Sequence, residues 1–366
     1  MRIIHSLEGS AWSGGQQQAL FLSQMMRRLG HEVLLVCQTG SVLSRRAAEA
    51  GVSVCTVPFR NELHPPTFLE LFRIFDSFKP DVVNVHRAWA HTQWAFISLL
   101  RKFHGLVVTR RVLFRPDFNP LSLVKYRTHA VRGFIAVSQA VANRLASLRL
   151  KPNHIRIVYP ATDMDRFSPD SNATLREIFP VPEGAVAALM VANFHPNKGH
   201  LLLLEAFKKV APNWPEFHLL LAGNGTDCPS LKKRVGALKH GNRVHLLGFR
   251  DDVPAMLSNC AFSINASYEE GWAGTIRESI AMGVPVLASD NSSNLELGRV
   301  LPMSWFKCGS SESLADELVR FRGREISPAE RSELRKAAFS AFSVRAMVDA
   351  TIDAYRRFGI KTGPKY

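Results

Sequence analysis

No two of the five cysteines, Cys37, Cys55, Cys228, Cys260 and Cys308, form a Cys-x-x-Cys pair, and their number is odd. That argues against a zinc knuckle and a disulfide framework, and the sequence reads as buried thiols in a reducing cytoplasm. Nowhere do eighteen apolar residues run together, so a membrane-crossing helix is not expected. Met1-Arg2-Ile3-Ile4-His5 reads as the start of a strand rather than of an apolar leader. Acidic charge is scarce: 31 Asp and Glu stand against 46 Lys and Arg, a formal net charge of +15. Residues 1–166 hold 22 of the basic and 10 of the acidic residues, leaving 24 against 21 for the remainder. The basic residues come as singles and pairs, with no long run and no nucleic-acid-binding module. An anionic acceptor or an anionic membrane face fits such a scattered field. At 366 residues and 46% apolar composition, the chain suits two α/β domains that each bury a core.

The most informative stretch runs from Tyr268 to Asp290. Ala261 to Ala266 reads as a buried strand before it. Gly271 and Gly274, three apart, allow a tight turn and leave room for a ligand. A helix is predicted from Thr275 to Met282, stopped by Gly283, and Val284 to Ala288 forms the next strand. The first N–H groups of that helix have no internal partner, and the macrodipole adds partial positive charge, so a diphosphate fits there without a metal. Glu278 lies one turn in and can accept from a ribose diol. Glu270, across the glycine loop, can reach the hydroxyls of whatever the phosphate carries. Either acid taken alone can equally offset the helix dipole or sit in water at a loop tip.

The pattern Glu270-Gly271-Trp272-x-Gly274, continuing through Glu278-Ser279-Ile280-Ala281-Met282-Gly283-Val284-Pro285-Val286, resembles the signature of the family 4 retaining glycosyltransferases. The resemblance implies a GT-B fold: two Rossmann-like doubly wound domains facing a cleft, with the C-terminal helix crossing back. It implies that Glu270 contacts the donor sugar and Glu278 the ribose, with Gly271, Trp272, Ala273, Gly274 and Thr275 completing the donor contacts.

The remaining chain alternates strands and helices, as doubly wound domains do. Arg2 to Leu7 opens into Gly14-Gly15 and a helix from Gln16 to Leu29. Free donors at that helix start suit an anion, although Gly-Gly is also an ordinary turn. In the resembling family the equivalent Gly-Gly loop closes over the donor. Phe68, Leu71, Phe72, Phe75 and Phe78 have helical spacing and read as core. The strand Asp81 to His86 delivers His86 to a C-terminal edge, and the strand Leu106 to Arg110 does the same for Arg110 and Arg111. Arg111 stands where many family members carry a histidine. The stretch from Val112 to Arg127 mixes apolar and basic residues in a way that suits a lipid headgroup layer. Arg110, Arg111, Arg115, Lys125 and Arg127, with His86, are expected to receive an anionic acceptor, against the alternative of a solvated basic face. Lys151 to Pro169 is read as the linker, including Asp163-Met164-Asp165, which imitates a metal motif. In the second domain, Lys198 can meet a diphosphate as a point charge. The family's Gly-Arg before that lysine is replaced by Ala192-Asn193, so Asn193, His195 or Arg250 is expected to complete the site.

The domains expected are 1–166 with a C-terminal helix over 343–366, which bind the acceptor, and 167–342, which bind the nucleotide sugar. The expected reaction is a metal-independent and cofactor-free transfer of a hexose, with retention, from a UDP- or GDP-sugar. Its acceptor would be a cell-envelope glycan or glycolipid such as lipopolysaccharide core. Glu270, Lys198 and Arg111 are the expected catalytic residues, and the enzyme is expected in the cytoplasm, peripheral on the inner membrane. A nucleotide-sugar epimerase or phosphorylase on the same architecture, or a non-catalytic binder of anionic ligands, remains an alternative reading of the same residues.

Overall fold

The computed structural model describes residues 1–112, 125–150, 152–168 and 181–362. Of the expected acceptor contacts, Arg115 lies outside these described residues. The first elements are β1 (Arg2–Leu7), α1 (Gly14–Arg28), β2 (Glu32–Gln38), α2 (Val42–Glu49), β3 (Ser53–Val57), α3 (Pro65–Phe78), β4 (Val82–Val85), α4 (Ala88–Leu100), β5 (Leu106–Arg110), β6 (Val131–Ala136), α5 (Gln139–Ala146) and β7 (Ile155–Ile157). Then come β8 (Val186–Val191), α6 (His200–Val210), β9 (Phe217–Ala222), α7 (Pro229–Gly236), β10 (Val244–Gly248), α8 (Val253–Ser258), β11 (Phe262–Asn265), α9 (Gly274–Ala281), β12 (Val286–Ser289), α10 (Ser292–Leu297), β13 (Ser304–Phe306), α11 (Ser311–Phe321), α12 (Pro328–Phe342) and α13 (Val344–Arg357).

The chain divides into two compact units, Met1–Ala161 with Val344–Tyr366, and Thr162–Ser343. The first holds a sheet ordered β3-β2-β1-β4-β5-β6-β7 and the second a sheet ordered β10-β9-β8-β11-β12-β13. All the strand pairs among the described residues are parallel. The sequence cause is visible in strands such as Val82-Val83-Asn84-Val85, buried at every position. A parallel sheet covered on both faces needs apolar residues throughout rather than alternation.

In the first unit α13 packs its Met347, Val348 and Tyr355 against Ile3, Met26 and Val107. The Tyr355 hydroxyl accepts from Asn84 Nδ2 at 2.8 Å, and Asn84 Oδ1 accepts from Thr109 Oγ1 at 2.7 Å, so the one polar residue of β4 is satisfied inside the sheet.

Two expectations need correction here. The linker region contains a strand, since β7 pairs with β6 through Phe134 and Ile155 and closes the sheet edge. The α3 phenylalanines are not core: Leu71 is fully buried, but Phe68, Phe72, Phe75 and Phe78 are only half-buried. No helix among the described residues is long and apolar enough to cross a membrane.

The second core is aromatic. Trp214 stacks on Phe217 at 4.4 Å, Phe217 on Phe262 at 6.2 Å, and Phe262 meets Phe321 at 4.5 Å. At its rim the buried Arg243 donates to three carbonyls at the end of α6 and just beyond, those of Ala211 at 2.7 Å, Trp214 at 2.7 Å and Pro215 at 3.0 Å. A buried helix end needs such partners. Arg243→Ala leaves these carbonyls bare and is expected to lower unfolding stability by about 2–4 kcal/mol, read as a shifted urea midpoint.

Candidate functional site

The loops leaving the C-terminal edge of the second sheet are tied to one another. After β8, Phe194 N–H donates to the Asn224 carbonyl at 2.8 Å, and Asn193 Oδ1 accepts from Asn224 N–H at 3.1 Å. Gly223 N–H donates to the Gly248 carbonyl at 2.7 Å, and Tyr268 N–H to the Asn197 carbonyl at 2.8 Å. Four βα loops thus form one continuous rim at the edge where open α/β sheets bind ligands.

Lys198 closes a 3-10 turn, Pro196–Lys198, whose start is capped by His195 Nδ1 accepting from Asn197 N–H at 3.2 Å. Gly199 follows with φ +75°, and a Cβ there would lie 2.1 Å from the Ala266 carbonyl oxygen. Only glycine lets the turn approach β11 so closely. Lys198 Nζ then meets Glu270 Oε1 at 2.6 Å, with the glutamate side chain 12% exposed. Gly199→Ala is expected to move Lys198 off Glu270 and to lower the melting temperature, a loss of about 2–4 kcal/mol in denaturant titration.

Ser267 Oγ donates to the same Oε1 at 2.7 Å, while nothing among the described residues donates to Oε2. Glu270 therefore keeps one carboxylate oxygen available for a hydroxyl. Its backbone is held by Ser293 Oγ, which donates to the Glu270 carbonyl at 2.6 Å. Ser289 Oγ and Asn291 Nδ2 grip the Ser267 carbonyl at 2.5 and 3.0 Å. These positioning residues were not among the sequence-read candidates. Their signal was the polar run Ser289-Asp290-Asn291-Ser292-Ser293-Asn294, which ends a strand and caps a helix, with Asn291 Oδ1 accepting from Asn294 N–H at 3.0 Å.

Helix α9 begins at Gly274 after Ala273, and no side chain among the described residues caps it. Its first N–H groups keep their donors and their share of the dipole. Glu278 leans back along the helix toward that end, its Oε1 3.8 Å from where a Gly274 Cβ would stand. The carboxylate is half-buried and takes no hydrogen bond among the described residues. Burial raises its pKa, opposed by the Arg277 and Arg166 charges and assisted by Asp163. Arg277 is buried and donates to Thr162 Oγ1 at 3.1 Å; burial, against the pull of Glu278, lowers its pKa to about 10. Asp163 Oδ1 accepts from Arg166 N–H at 3.1 Å, and Arg166 Nη2 donates to the Asp251 carbonyl at 2.9 Å, so this stretch is knitted to the loop after β10.

Lys198, Glu270, Glu278 and the start of α9 thus share the rim. Gly271 and Thr275 are half-buried there, whereas Trp272 and Ala273 are buried, the indole packing at 6.1 Å on Phe342. Arg250 is held by both oxygens of Asp252, and this pairing depresses the Asp252 pKa.

In the first unit Gly14 and Gly15 open α1, and the Ser13 side chain does not cap it. Arg111 crosses Gly15, its Cδ 3.5 Å from where a Cβ would stand. Arg111 Nη2 lies 3.3 Å from His86 Nδ1, and His86 Nε2 lies 3.1 Å from His5 Nδ1. A guanidinium only donates, so His86 accepts at Nδ1, carries its proton on Nε2 and donates to His5. Burial first, then the Arg111 charge, keeps both imidazoles neutral, with the His5 pKa lowered to about 3. Glu8 was also missed by the sequence reading: its carboxylate accepts from Trp89 and Ala90 N–H at 3.1 and 3.2 Å and caps α4.

The expected acceptor cations are distributed differently. Arg110 is buried, donating to Tyr126 Oη at 2.7 Å with its Nη2 3.0 Å from His91 Nδ1. Lys125 Nζ binds Glu62 Oε1 at 3.0 Å and Thr92 Oγ1 at 3.1 Å, and Arg127 donates to the Leu148 carbonyl at 3.1 Å. These three hold the fold of the first unit, and of the expected set Arg111 and His86 are brought together beside the Gly14-Gly15 turn.

Two parallel-sheet Rossmann-like units with this order of elements define the GT-B class. Over 98% of its length the chain superposes on 99% of a glycosyltransferase from Rickettsia africae, with a TM-score of 0.85 and 19% identity. Over 97% it superposes on 99% of Anabaena HepE in complex with UDP and glucose, with a TM-score of 0.80 and 17% identity. Residues 171–338 match the family described as glycosyl transferases group 1, and residues 12–166 match glycosyltransferase family 4. The chain belongs to this glycosyltransferase family. It is 24% identical over 217 residues, 58% of its length, to the Escherichia coli UDP-Gal:alpha-D-GlcNAc-diphosphoundecaprenol alpha-1,3-galactosyltransferase. It is 23% identical over 60% of its length to an uncharacterized glycosyltransferase of Methanocaldococcus jannaschii. The matches span less than two thirds of these relatives, 56% and 58% of their lengths.

Proposed function

We propose that the chain transfers a hexose, with retention of anomeric configuration, from a nucleoside-diphosphate sugar to a glycan or glycolipid of the cell envelope. One observation carries the reading: a cation and two carboxylates with accepting capacity to spare stand beside the uncapped start of α9. In this account the diphosphate lies against the N–H groups of Gly274 to Ile276 and the ammonium of Lys198. Glu278 accepts from the ribose diol. The open oxygen of Glu270 accepts from the sugar. As the sugar–phosphate bond breaks, the electron pair leaves with the diphosphate, where Lys198 and the helix start stabilise the growing negative charge, while the acceptor hydroxyl oxygen bonds to the anomeric carbon and its proton passes to the departing phosphate oxygen. No metal is required for that step.

The E. coli relative's printed name, a UDP-sugar donor with a polyprenyl-diphosphate-linked acceptor, supports the donor class and an anionic lipid-linked acceptor. Lipopolysaccharide core belongs to the same acceptor class. Arg111, held by His86 beside Gly14 and Gly15, is proposed to meet the anionic part of donor or acceptor.

Incubation with UDP- and GDP-hexoses and a membrane glycolipid extract, with chelator present, tests the proposal. Transfer of label to lipid with the anomeric configuration kept is the expected result. Isomerisation of the nucleotide sugar without acceptor would favour the epimerase alternative and contradict it.

A further inference from the structure

We propose that Arg277 is a second cation of the diphosphate site, a guanidinium fixed in advance at the start of α9. It rests on the donor site proposed for α9 and names a further residue of it. Arg277 occupies the fourth position of the helix, and its side chain leans back toward the helix start as helical side chains do. Its Nη2 lies 3.7 Å from where a Gly274 Cβ would stand, and Glu278 Oε1 lies 3.8 Å from the same point. Cation and carboxylate therefore reach the helix start together. Gly274 is half-buried, so a ligand can approach this corner.

That placement works against folding. A cation at a helix start opposes the macrodipole, and a guanidinium taken out of water loses its hydration. Arg277 is 5% exposed, and burial lowers its pKa to about 10, which leaves it charged at neutral pH. Sequences break local rules of this kind at functional sites. Charge and dipole of one sign, gathered where a ligand can reach, suit an anion carrying more than one charge. Glu278 supplies a single negative charge, and a nucleoside diphosphate supplies the rest. Two other cations of the rim are already engaged, Lys198 with Glu270 at 2.6 Å and Arg250 with both oxygens of Asp252. Lys198 must leave its partner to meet a phosphate, whereas Arg277 is in place beforehand. Its Nη1 donates to Thr162 Oγ1 at 3.1 Å, and the guanidinium lies 5.6 Å from the centre of the Phe342 ring. Thr162 N–H donates in turn to the Phe342 carbonyl at 3.0 Å, and both residues are buried. A charge held in this way meets an arriving anion without reorganising, in a medium where charges act more strongly than in water.

Competition calorimetry with UDP, GDP, uridine and guanosine as probes tests the assignment. Arg277→Gln is expected to weaken nucleoside-diphosphate binding about 10- to 100-fold while nucleoside binding stays within about twofold. Arg277→Lys, which keeps the charge, is expected to recover most of the loss. Thr162→Val, which keeps the arginine and removes its hydroxyl partner, is expected to lose diphosphate affinity several-fold and nucleoside affinity not at all. Wild-type diphosphate affinity in Arg277→Gln would overturn the proposal. An equal loss for nucleoside and diphosphate would do so too, because Arg277 would then act on Glu278 alone. Where the glutamine substitution unfolds the chain, unchanged diphosphate affinity in Thr162→Val overturns it. Glu278→Ala in the same assay separates the two levels. Wild-type affinities there would bring down the donor site and Arg277 with it, whereas weakened nucleoside binding there, with no diphosphate effect at Arg277, would bring down this proposal alone.

Discussion

Replacing Glu278 with alanine is expected to weaken nucleoside-diphosphate binding by about 10- to 100-fold, measured by titration calorimetry. A charge-assisted hydrogen bond contributes about 1.5–3 kcal/mol, and loss of the carboxylate removes those proposed to the ribose. No hydrogen bond among the described residues depends on this side chain, but its charge offsets the burial of Arg277, so a lower unfolding midpoint is expected beside the lost affinity. The same group sets a pH dependence. Burial raises the Glu278 pKa despite Arg277 and Arg166, so the carboxylate takes up a proton at a higher pH than an ordinary glutamate does. Only the ionised form accepts from both hydroxyls of a diol. Nucleotide affinity is therefore fully present above the raised pKa and falls as pH drops through it. Glu278→Gln, neutral at every pH, is expected to flatten that profile.

Lys198→Ala is expected to reduce turnover by about 100- to 1,000-fold, the range seen when a preorganised group that stabilises developing charge is removed. Glu270→Gln is expected to act differently, and the ion pair explains why. With Glu270 neutralised, Lys198 Nζ loses the partner it holds at 2.6 Å and is freed for the diphosphate. Nucleotide affinity should then hold or rise while turnover falls with the lost sugar contact. Parallel loss of affinity and turnover in Glu270→Gln would contradict the separate roles given to the two residues. Steady-state kinetics with calorimetry on the same preparations resolves the two outcomes.

What the sequence made legible was local: the glycine turns, the positive-φ stop at Gly283, and the apolar strands whose spacing set up two doubly wound units. What stayed hidden depended on partners far away in sequence. β7 is three residues long, Ile155-Arg156-Ile157, and becomes a strand only because β6 offers it an edge. Arg110 and Lys125 read as free cations because the partners that engage them, Tyr126 and His91 for one and Glu62 and Thr92 for the other, follow from tertiary packing. The α3 phenylalanines have core periodicity, yet they sit half-buried beside α4, since period alone does not say how deep a helix lies. Around Glu270, the serines and asparagines that fix the loop come from the next βα connection, a relation that spacing cannot express.

The most direct measurement is a crystal structure of the chain soaked with UDP or GDP. The account predicts a diphosphate oxygen within hydrogen-bonding distance of the Gly274 to Ile276 N–H groups, the ribose diol on Glu278, and Lys198 Nζ turned from Glu270 toward the phosphate. A nucleotide bound elsewhere, with the Lys198–Glu270 pair intact and the start of α9 unoccupied, would contradict it.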